Sequence, residues 1–365
     1  MKETTAKKRN ANMELLRLLL MFMIIMLHAL GKSNVLENVG SNISLNGVIA
    51  WGLEALSICA VNVFILISGY YLIGSKFRLS RLVELIAEMI FYSMGSFLVC
   101  YMLGVNFREQ IDTFFLLHTV FPVHMDLYWF LTIYVFVYIM QPIISAGINA
   151  ISQKQFKAII NLLLIFECGF KSCLPFKFVE DMGGYNLVWF LTVFLVGAYI
   201  KMYGARMFYK PIKGLIVYFV SSGMVLVEKF AIGRVFAKTG HLEEIRNVSM
   251  DYNHIFVFLA AVGLFTAFVY SKPIVDKAGR IICALSPMAL GIYLLHENLT
   301  LRYNWQKWTG IYESLDRPTP VFVGRILLAV AIVFVAGLAV DFVRIKIFDL
   351  FKSIFQKIFV KKDEA

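Results

Sequence analysis

The feature that most constrains this chain is a succession of long apolar stretches, each close to the length of a helix that crosses a bilayer. Such a helix needs about 20 mostly apolar residues. The sequence therefore predicts an all-α, polytopic integral membrane bundle of about ten transmembrane helices. We expect the spans near residues 13–31, 48–74, 83–104, 128–148, 156–171, 186–202, 212–230, 252–270, 284–301 and 320–345.

The composition argues against a soluble fold of this length. Of the 365 residues, 59% are hydrophobic and only 16% are charged, and the mean hydropathy is +0.73. A soluble domain has about 25% charged residues, so this chain lacks the polar side chains for a water-exposed surface. In a soluble protein the net charge of +11 would suggest a nucleic-acid partner. In a membrane protein it indicates orientation, and we expect no nucleic acid.

The distribution of Lys and Arg predicts a cytoplasmic N-terminus. With that orientation the inner segments carry about twice as many Lys and Arg as the outer loops, which is typical of cytoplasmic loops. The N-terminus imitates a signal peptide, but its apolar run contains ionisable residues and no small-residue cleavage site follows. We expect a cytoplasmic segment over 1–12, a transmembrane domain over 13–346 and a basic cytoplasmic tail over 347–365.

The first apolar stretch contains ionisable residues that are costly inside a membrane. Arg17 and His28 are eleven residues apart, which is three helical turns plus about 20°, so they share one face of a helix. Glu14 lies one turn before Arg17 and can pair with it. Ionisable groups at such positions usually face the bundle interior and have a function. The alternative is a Glu14–Arg17 pair that snorkels to the interface and a histidine that only packs.

Arg78 and Arg81 follow the second stretch at a spacing of three residues. They share a face if the third helix begins there. Two guanidinium groups so placed suit phosphate groups, to which they donate forked hydrogen bonds. The alternative is that they only mark a cytoplasmic loop.

Two further groups are candidates for ligand binding. Tyr128 and Trp129 open the fourth stretch, where they can form an interfacial aromatic belt or the wall of a sugar site. His296 and Glu297 lie near the end of the ninth stretch, where adjacent polar residues should face a cavity. The five cysteines have no metal-ligand spacing, so we expect no metal.

The first stretch resembles that of the acyltransferase-3 family of integral membrane O-acyltransferases. The first helix of that family carries an acidic residue, an arginine three residues later and a histidine eleven residues beyond the arginine. Here these residues are Glu14, Arg17 and His28. The Arg-x-x-Arg element of the family is matched by Arg78 and Arg81.

The resemblance covers nearly the whole chain. Residues 61–70 are similar to an aromatic-rich run that ends in Ser-Gly-aromatic in the family. The chain departs from the family pattern at Tyr134, where many relatives carry a glutamate. Some relatives also have a fused extracytoplasmic esterase-like domain, and we expect a stand-alone member without it.

The resemblance implies transfer of an acyl group, often acetyl, from acetyl-CoA or another short acyl-CoA to a hydroxyl of a surface carbohydrate or glycolipid. It implies a multi-pass protein of the bacterial cytoplasmic membrane that works beside membrane lipid and proteins of polysaccharide biosynthesis. His28, with Arg17 and Glu14, would be catalytic, either as a general base or as the carrier of the acyl group. The donor would be bound by Arg78, Arg81 and Arg17, and the acceptor by Tyr128, Trp129, His296 and Glu297.

A transporter or flippase for a lipid-linked saccharide is the alternative, because it would also use buried charges and aromatic residues. A transporter predicts charges along several helices. The sequence suggests that the midspan charges concentrate in the first stretch, which favours the enzyme.

Overall fold

The computed structural model describes residues 9–39, 44–105, 107, 110–173, 182–241 and 245–359. Throughout these residues the secondary structure is helical, with no strand, which confirms the predicted all-α class. The outer parts of the predicted terminal segments, residues 1–8 and 360–365, lie outside the described residues. The α-helices, numbered along the chain, are α1 Ala11–Gly31, α2 Val35–Asn38, α3 Leu45–Ser57, α4 Ala60–Leu72, α5 Leu79–Met102, α6 Thr113–Val120, α7 Trp129–Asn149, α8 Gln153–Leu164, α9 Phe170–Cys173, α10 Leu187–Tyr203, α11 Pro211–Thr239, α12 Ile255–Val269, α13 Lys277–Leu285, α14 Ala289–His296, α15 Trp305–Trp308 and α16 Thr319–Phe359.

Eight helical segments in the described part of the chain are long and apolar enough to cross a membrane, close to the ten predicted. The other two predicted spans are also helical. Helix α10 is apolar but shorter, at 17 residues, and α8 continues into α9 through a π-helical segment, Ile165–Gly169. The prediction therefore located the helices correctly, while two of them differ from an uninterrupted long span.

Helix α1 lies at the centre of the bundle. Most of its side chains are buried, and it packs against α3, α4, α12, α13, α14 and α16. A helix that is apolar on nearly all sides is expected at such a position. Its start is fixed by Asn10, whose side chain accepts hydrogen bonds from the backbone of Asn12 and Met13. Its end is fixed by the Lys32 N–H, which donates to the carbonyl of His28.

Glycines allow two helices, α4 and α10, to approach each other closely. A Cβ atom on Gly69 would lie 2.0 Å from the carbonyl oxygen of Phe194, and one on Gly197 would lie 2.3 Å from that of Leu66. Small residues at such contacts let helix backbones pack closely within a bilayer. This pairing holds α4 against the middle of the bundle.

The helix that carries the late polar residues is broken. Between α13 and α14 the chain forms a 3₁₀ turn, Ser286–Met288, with Pro287 at its start. The Ser286 hydroxyl donates to the Glu14 carboxylate on α1. This contact aligns α14 beside α1, so the last residue of α14, His296, lies at the level of the last turn of α1.

Helix α16 is much longer than the predicted span at 320–345. Its 41 residues extend about 60 Å at a rise of about 1.5 Å per residue, roughly twice the hydrocarbon thickness. In its later part Lys352 forms an exposed ion pair with Glu84 of α5, at 3.3 Å. The helix therefore continues beyond the predicted domain boundary at residue 346.

Candidate active site

The candidate site is built around a pair of histidines from the first helix and from α14. His28 Nδ1 lies 2.9 Å from His296 Nε2, although the two residues are 268 positions apart. His296 is buried, whereas the His28 side chain remains 19% exposed. His28 therefore has one ring edge bound to the protein and another that is open.

The hydrogen bonds define which ring nitrogens carry protons. His296 Nδ1 lies 2.6 Å from the carbonyl oxygen of Ile292, which can only accept, so this nitrogen is the donor. In neutral His296 the Nε2 atom must then accept, and the His28 Nδ1–H donates to it. Neutral His28 consequently has an unprotonated Nε2, and no described residue forms a hydrogen bond with that atom.

A cluster of charges supports the histidine pair. The Glu297 carboxylate lies 3.2 Å from His28 Nδ1, and Lys32 Nζ lies 2.5 Å from both of its oxygens. Arg302 Nη2 lies 3.0 Å from Glu297 Oε2. Burial alone would raise the pKa of Glu297, but the Lys32 ammonium and the Arg302 guanidinium outweigh it and hold that pKa well below its usual range. Glu297 is therefore an ionised carboxylate that favours a positive charge on His28.

Backbone contacts hold this end of α1 in position. The Gln306 side chain donates to the carbonyl of His28 at 3.3 Å, and the Tyr312 hydroxyl donates to that of Lys32 at 2.9 Å. The His28 carbonyl thus accepts from Gln306 as well as from the Lys32 N–H, and Tyr312 donates to a carbonyl just beyond the helix end, where intrahelical partners are lacking. Sequence reasoning missed Lys32, Arg302 and Gln306, and the only signal was their polar character beside apolar stretches.

The open side of His28 faces a small cavity, which we call the histidine cavity. Met21, Ile24 and His28 line it from α1, at spacings of three and four residues that continue the helix face of Arg17. Its volume is about 50 Å³, and the other walls are apolar or aromatic. These walls are formed by Val61, Phe64, Trp129, Phe130, Tyr252, Leu290 and Tyr293.

A larger cavity of about 370 Å³ lies on the Arg17 side of the histidine cavity. We call it the arginine cavity, because Arg81 lines it. Phe130 and Leu290 line both cavities, so these two side chains form the partition between them. The two cavities thus make a path from Arg81 towards His28.

Arg17 lies beside this path. Its guanidinium pairs with Glu14 at 2.8 Å and lies 5.6 Å from the ring centre of Tyr71. The charges of Arg17 and Arg81 both act on Tyr134, which lines the arginine cavity. Tyr134 is also the position at which the sequence departs from the predicted family pattern.

Of the other predicted ligand-binding residues, only one lines either of these two cavities. Arg78 is exposed and precedes the first residue of α5, and it is not among the described residues that line the arginine cavity. Tyr128 is fully buried, and its hydroxyl donates to the carbonyl of Leu294 at 3.1 Å. Trp129 does line the histidine cavity. His296 and Glu297 contact His28 itself.

Nitrogen and oxygen atoms of His28, His296 and Glu297 all lie within 4.8 Å of one another, a spacing that can hold a metal ion. Both Glu297 oxygens already bind the Lys32 ammonium, and one also binds Arg302. A metal would have to displace these cations, so we assign the cluster to hydrogen bonding and charge pairing.

Buried charges are not confined to α1, contrary to the expectation from the sequence. On α16, Arg344 binds Asp341 through two hydrogen bonds of 2.9 and 2.8 Å, and it lies 3.1 Å from Glu88. On α11, Lys229 donates to the Arg246 carbonyl at 3.2 Å and lies over the Trp51 ring. The distribution of charge therefore does not separate an enzyme from a transporter.

These features define a polytopic helical membrane protein with a buried histidine site between its first helix and a late one. The chain belongs to the acyltransferase-3 family, whose acyltransferase domain matches residues 10–340, nearly the whole sequence. This match confirms the resemblance and identifies the protein as a membrane acyltransferase. No curated protein and no solved structure matches the chain.

Proposed function

We propose that the protein transfers a short acyl group, with acetyl preferred, from an acyl-CoA to a hydroxyl of a surface carbohydrate or glycolipid. The observation that carries the proposal is the orientation of His28. Its Nδ1 is held by His296, and its unprotonated Nε2 is available on the side of the histidine cavity.

In the proposed reaction, His28 Nε2 accepts the proton of the acceptor hydroxyl while the hydroxyl oxygen attacks the thioester carbonyl carbon. A tetrahedral intermediate forms, the carbon–sulfur bond breaks, and the imidazolium returns its proton to the leaving thiolate. The products are the ester and free coenzyme A thiol. Glu297, 3.2 Å from His28 Nδ1, stabilises the imidazolium while it exists, as the carboxylate does in a serine protease triad.

The same nitrogen supports the alternative in which His28 carries the acyl group. In that case Nε2 attacks the thioester carbonyl carbon, the carbon–sulfur bond breaks and the coenzyme A thiolate leaves. The acceptor hydroxyl then attacks the acyl-imidazole, which forms the ester and releases the imidazole, and the hydroxyl proton passes to the thiolate. The two routes differ in one observable, because only the second labels the protein with the acyl group in the absence of acceptor.

The donor is proposed to enter through the arginine cavity. Arg81 lines that cavity and Arg17 lies beside it, so both are available to coenzyme A phosphates. The thioester end would then pass Phe130 and Leu290 to reach His28. A volume of about 50 Å³ beside His28 suits an acetyl group better than a long acyl chain. With the proposed cytoplasmic N-terminus, the Arg81 end faces the cytoplasm, where acyl-CoA is present.

The acceptor is proposed to approach from the opposite end through aromatic side chains. Trp129 and Tyr252 line the histidine cavity, and their rings stack with centroids 5.7 Å apart. Tyr185 lies 4.3 Å from Trp129 and is 43% exposed. Such ring faces pack against the C–H faces of a sugar. This arrangement is consistent with a multi-pass protein of the bacterial cytoplasmic membrane that serves polysaccharide biosynthesis.

The test is acyl transfer from radiolabelled acetyl-CoA to glycans in membrane vesicles that contain the wild type or His28→Gln. Because a positioned general base contributes about 10²–10⁴-fold, we expect the variant to lose at least about 100-fold in rate. Arg317→Gln, at an exposed position of the same end of the bundle, is the control. An unchanged rate in His28→Gln would refute the proposed role. Movement of a lipid-linked saccharide without acyl transfer would favour the transporter.

A further inference from the structure

We propose that the protein has a second ligand site, which binds the chain of a membrane lipid with an anionic phosphate headgroup. The site is a cavity between α14, α15 and α16, which we call the tryptophan cavity because Trp305 and Trp308 line it. Its volume is about 490 Å³, within the range of about 300–1,000 Å³ for small-molecule pockets. It shares no lining residue with the histidine cavity, so its occupant is distinct from the reacting groups.

The cavity is shaped for a chain that lies along α16. Its lining residues on that helix recur every three or four positions and form one face of about 16 Å in length. Apart from one arginine at the beginning, the face is apolar. It consists of Arg325, Leu328, Ala329, Ile332, Val333 and Ala336.

The cavity is open towards the bilayer. Leu328 is 62% exposed, and Ile332 and Trp308 are also exposed. On a helix that crosses a membrane, exposed apolar side chains of this kind face lipid. An alkyl chain can therefore enter from the side without crossing water.

Two polar groups at this cavity point to a phosphate headgroup rather than to hydrocarbon alone. Arg325 forms one long contact, 3.4 Å from Nη1 to the Gly310 carbonyl, although a guanidinium has five N–H donors. Trp305 is buried, and its indole N–H has no hydrogen-bond partner in the described part of the chain. Unpartnered buried donors are costly, and phosphate oxygens would accept from both groups.

The tryptophan cavity also adjoins the histidine pair, on the side of His296. His296 lines it, and the Trp305 ring packs edge-on against His296 with centroids 6.3 Å apart. A bound chain would therefore pack against the residue that orients His28. The lipid is proposed as a resident of this site, and the inference does not depend on which acyl group or acceptor is used.

Two probes identify the source of the phosphate: photoactivatable phosphatidylglycerol and photoactivatable polyprenyl phosphate, each in phosphatidylcholine nanodiscs with the full-length protein. Crosslinked peptides are assigned by mass spectrometry. We expect at least one anionic probe to label the α16 face between Leu328 and Ala336. In Arg325→Gln the labelling should fall about tenfold, because the variant loses a charge-assisted contact with the phosphate. Arg325→Lys should retain part of the labelling. The probe that labels identifies the lipid class.

A second variant tests the cavity itself. Ala336→Trp fills it from an exposed position of its lining, whereas Ala331→Trp adds the same bulk at an exposed position of α16 outside the lining. We expect only the first to abolish labelling. Photoactivatable phosphatidylcholine should label this face less than the anionic probes. Equal labelling by all three probes, or labelling unaffected by both Arg325→Gln and Ala336→Trp, would overturn the proposal and leave bulk lipid only.

Discussion

His296 Nε2 accepts from His28 Nδ1 at 2.9 Å, while the other nitrogen of His296 donates to Ile292. This relationship assigns His296 to positioning, because it orients the base without facing the histidine cavity. We predict that His296→Phe lowers kcat by about 10–100-fold, the effect of a misplaced base, and leaves KM for acyl-CoA unchanged. Steady-state kinetics measure both constants. Because Gln retains an acceptor oxygen, His296→Gln should recover part of kcat, and equal loss in both variants would contradict the role.

Because of Glu297, the stability of the folded protein should decrease at acidic pH. Its pKa is lowered in the folded protein, so its contribution is fully present above the ordinary pKa of about 4.3 and is lost as pH falls towards the lower folded value. We predict that the melting temperature of the wild type falls between about pH 5 and pH 3. Glu297→Gln should melt lower at pH 7 and lose part of this acid dependence.

The size of the Glu297 effect follows from the cations around it. Removing the buried carboxylate leaves the half-buried Lys32 and Arg302 without their partner. Breaking a fully buried pair costs about 3–5 kcal/mol, and we expect about 2–3 kcal/mol here because solvent reaches both cations. Differential scanning fluorimetry in detergent measures the shift. Glu84→Gln removes an exposed partner of Lys352 and serves as control, with an expected change of about 0–1 kcal/mol. Similar shifts in the two variants would contradict the assignment.

The helices and the polar stripe of α1 could be predicted from the sequence, because hydropathy and helical periodicity are local properties. The face shared by Arg17 and His28 also carries Met21 and Ile24, which line the histidine cavity with His28. The partners of His28 could not be predicted, because His296 and Glu297 reach it only through the packing of α14 against α1. Lys32 gave no signal, since a lysine after an apolar stretch is also an ordinary helix end.

Arg81 and Arg78 should differ in their contribution to donor binding. Arg81 lines the arginine cavity, whereas Arg78 is exposed at the start of α5. Loss of a charge-assisted hydrogen bond costs about 1.5–3 kcal/mol, so we predict that Arg81→Gln raises KM for acyl-CoA by about tenfold or more. Arg78→Gln should raise it by less, and the increase should shrink with added salt. Acyl-CoA titrations at two ionic strengths measure both effects, and a larger effect at Arg78 would place the phosphates outside the cavity.

The small histidine cavity should restrict the length of the acyl chain. Leu290 lines it and contributes to the partition, so Leu290→Ala is expected to make room for additional methylenes. One methylene in a tight apolar pocket changes discrimination by about 10–200-fold. We predict that Leu290→Ala improves butyryl-CoA relative to acetyl-CoA by about tenfold in kcat/KM. Leu131→Ala, which enlarges only the arginine cavity, should leave the ratio unchanged.

The contact between α4 and α10 gives a prediction that is independent of chemistry. A Cβ on Gly69 would lie 2.0 Å from the Phe194 carbonyl oxygen, a backbone atom that cannot move aside without separating the helices. Gly69→Ala should therefore destabilise the protein by about 1–3 kcal/mol, as overpacking does, despite the better helix propensity of alanine. Gly95→Ala on α5 meets no atom within 4 Å and should be neutral or slightly stabilising. Thermal unfolding of the two variants in the same detergent compares them directly, and equal melting temperatures would mean that α4 and α10 do not pack at this distance.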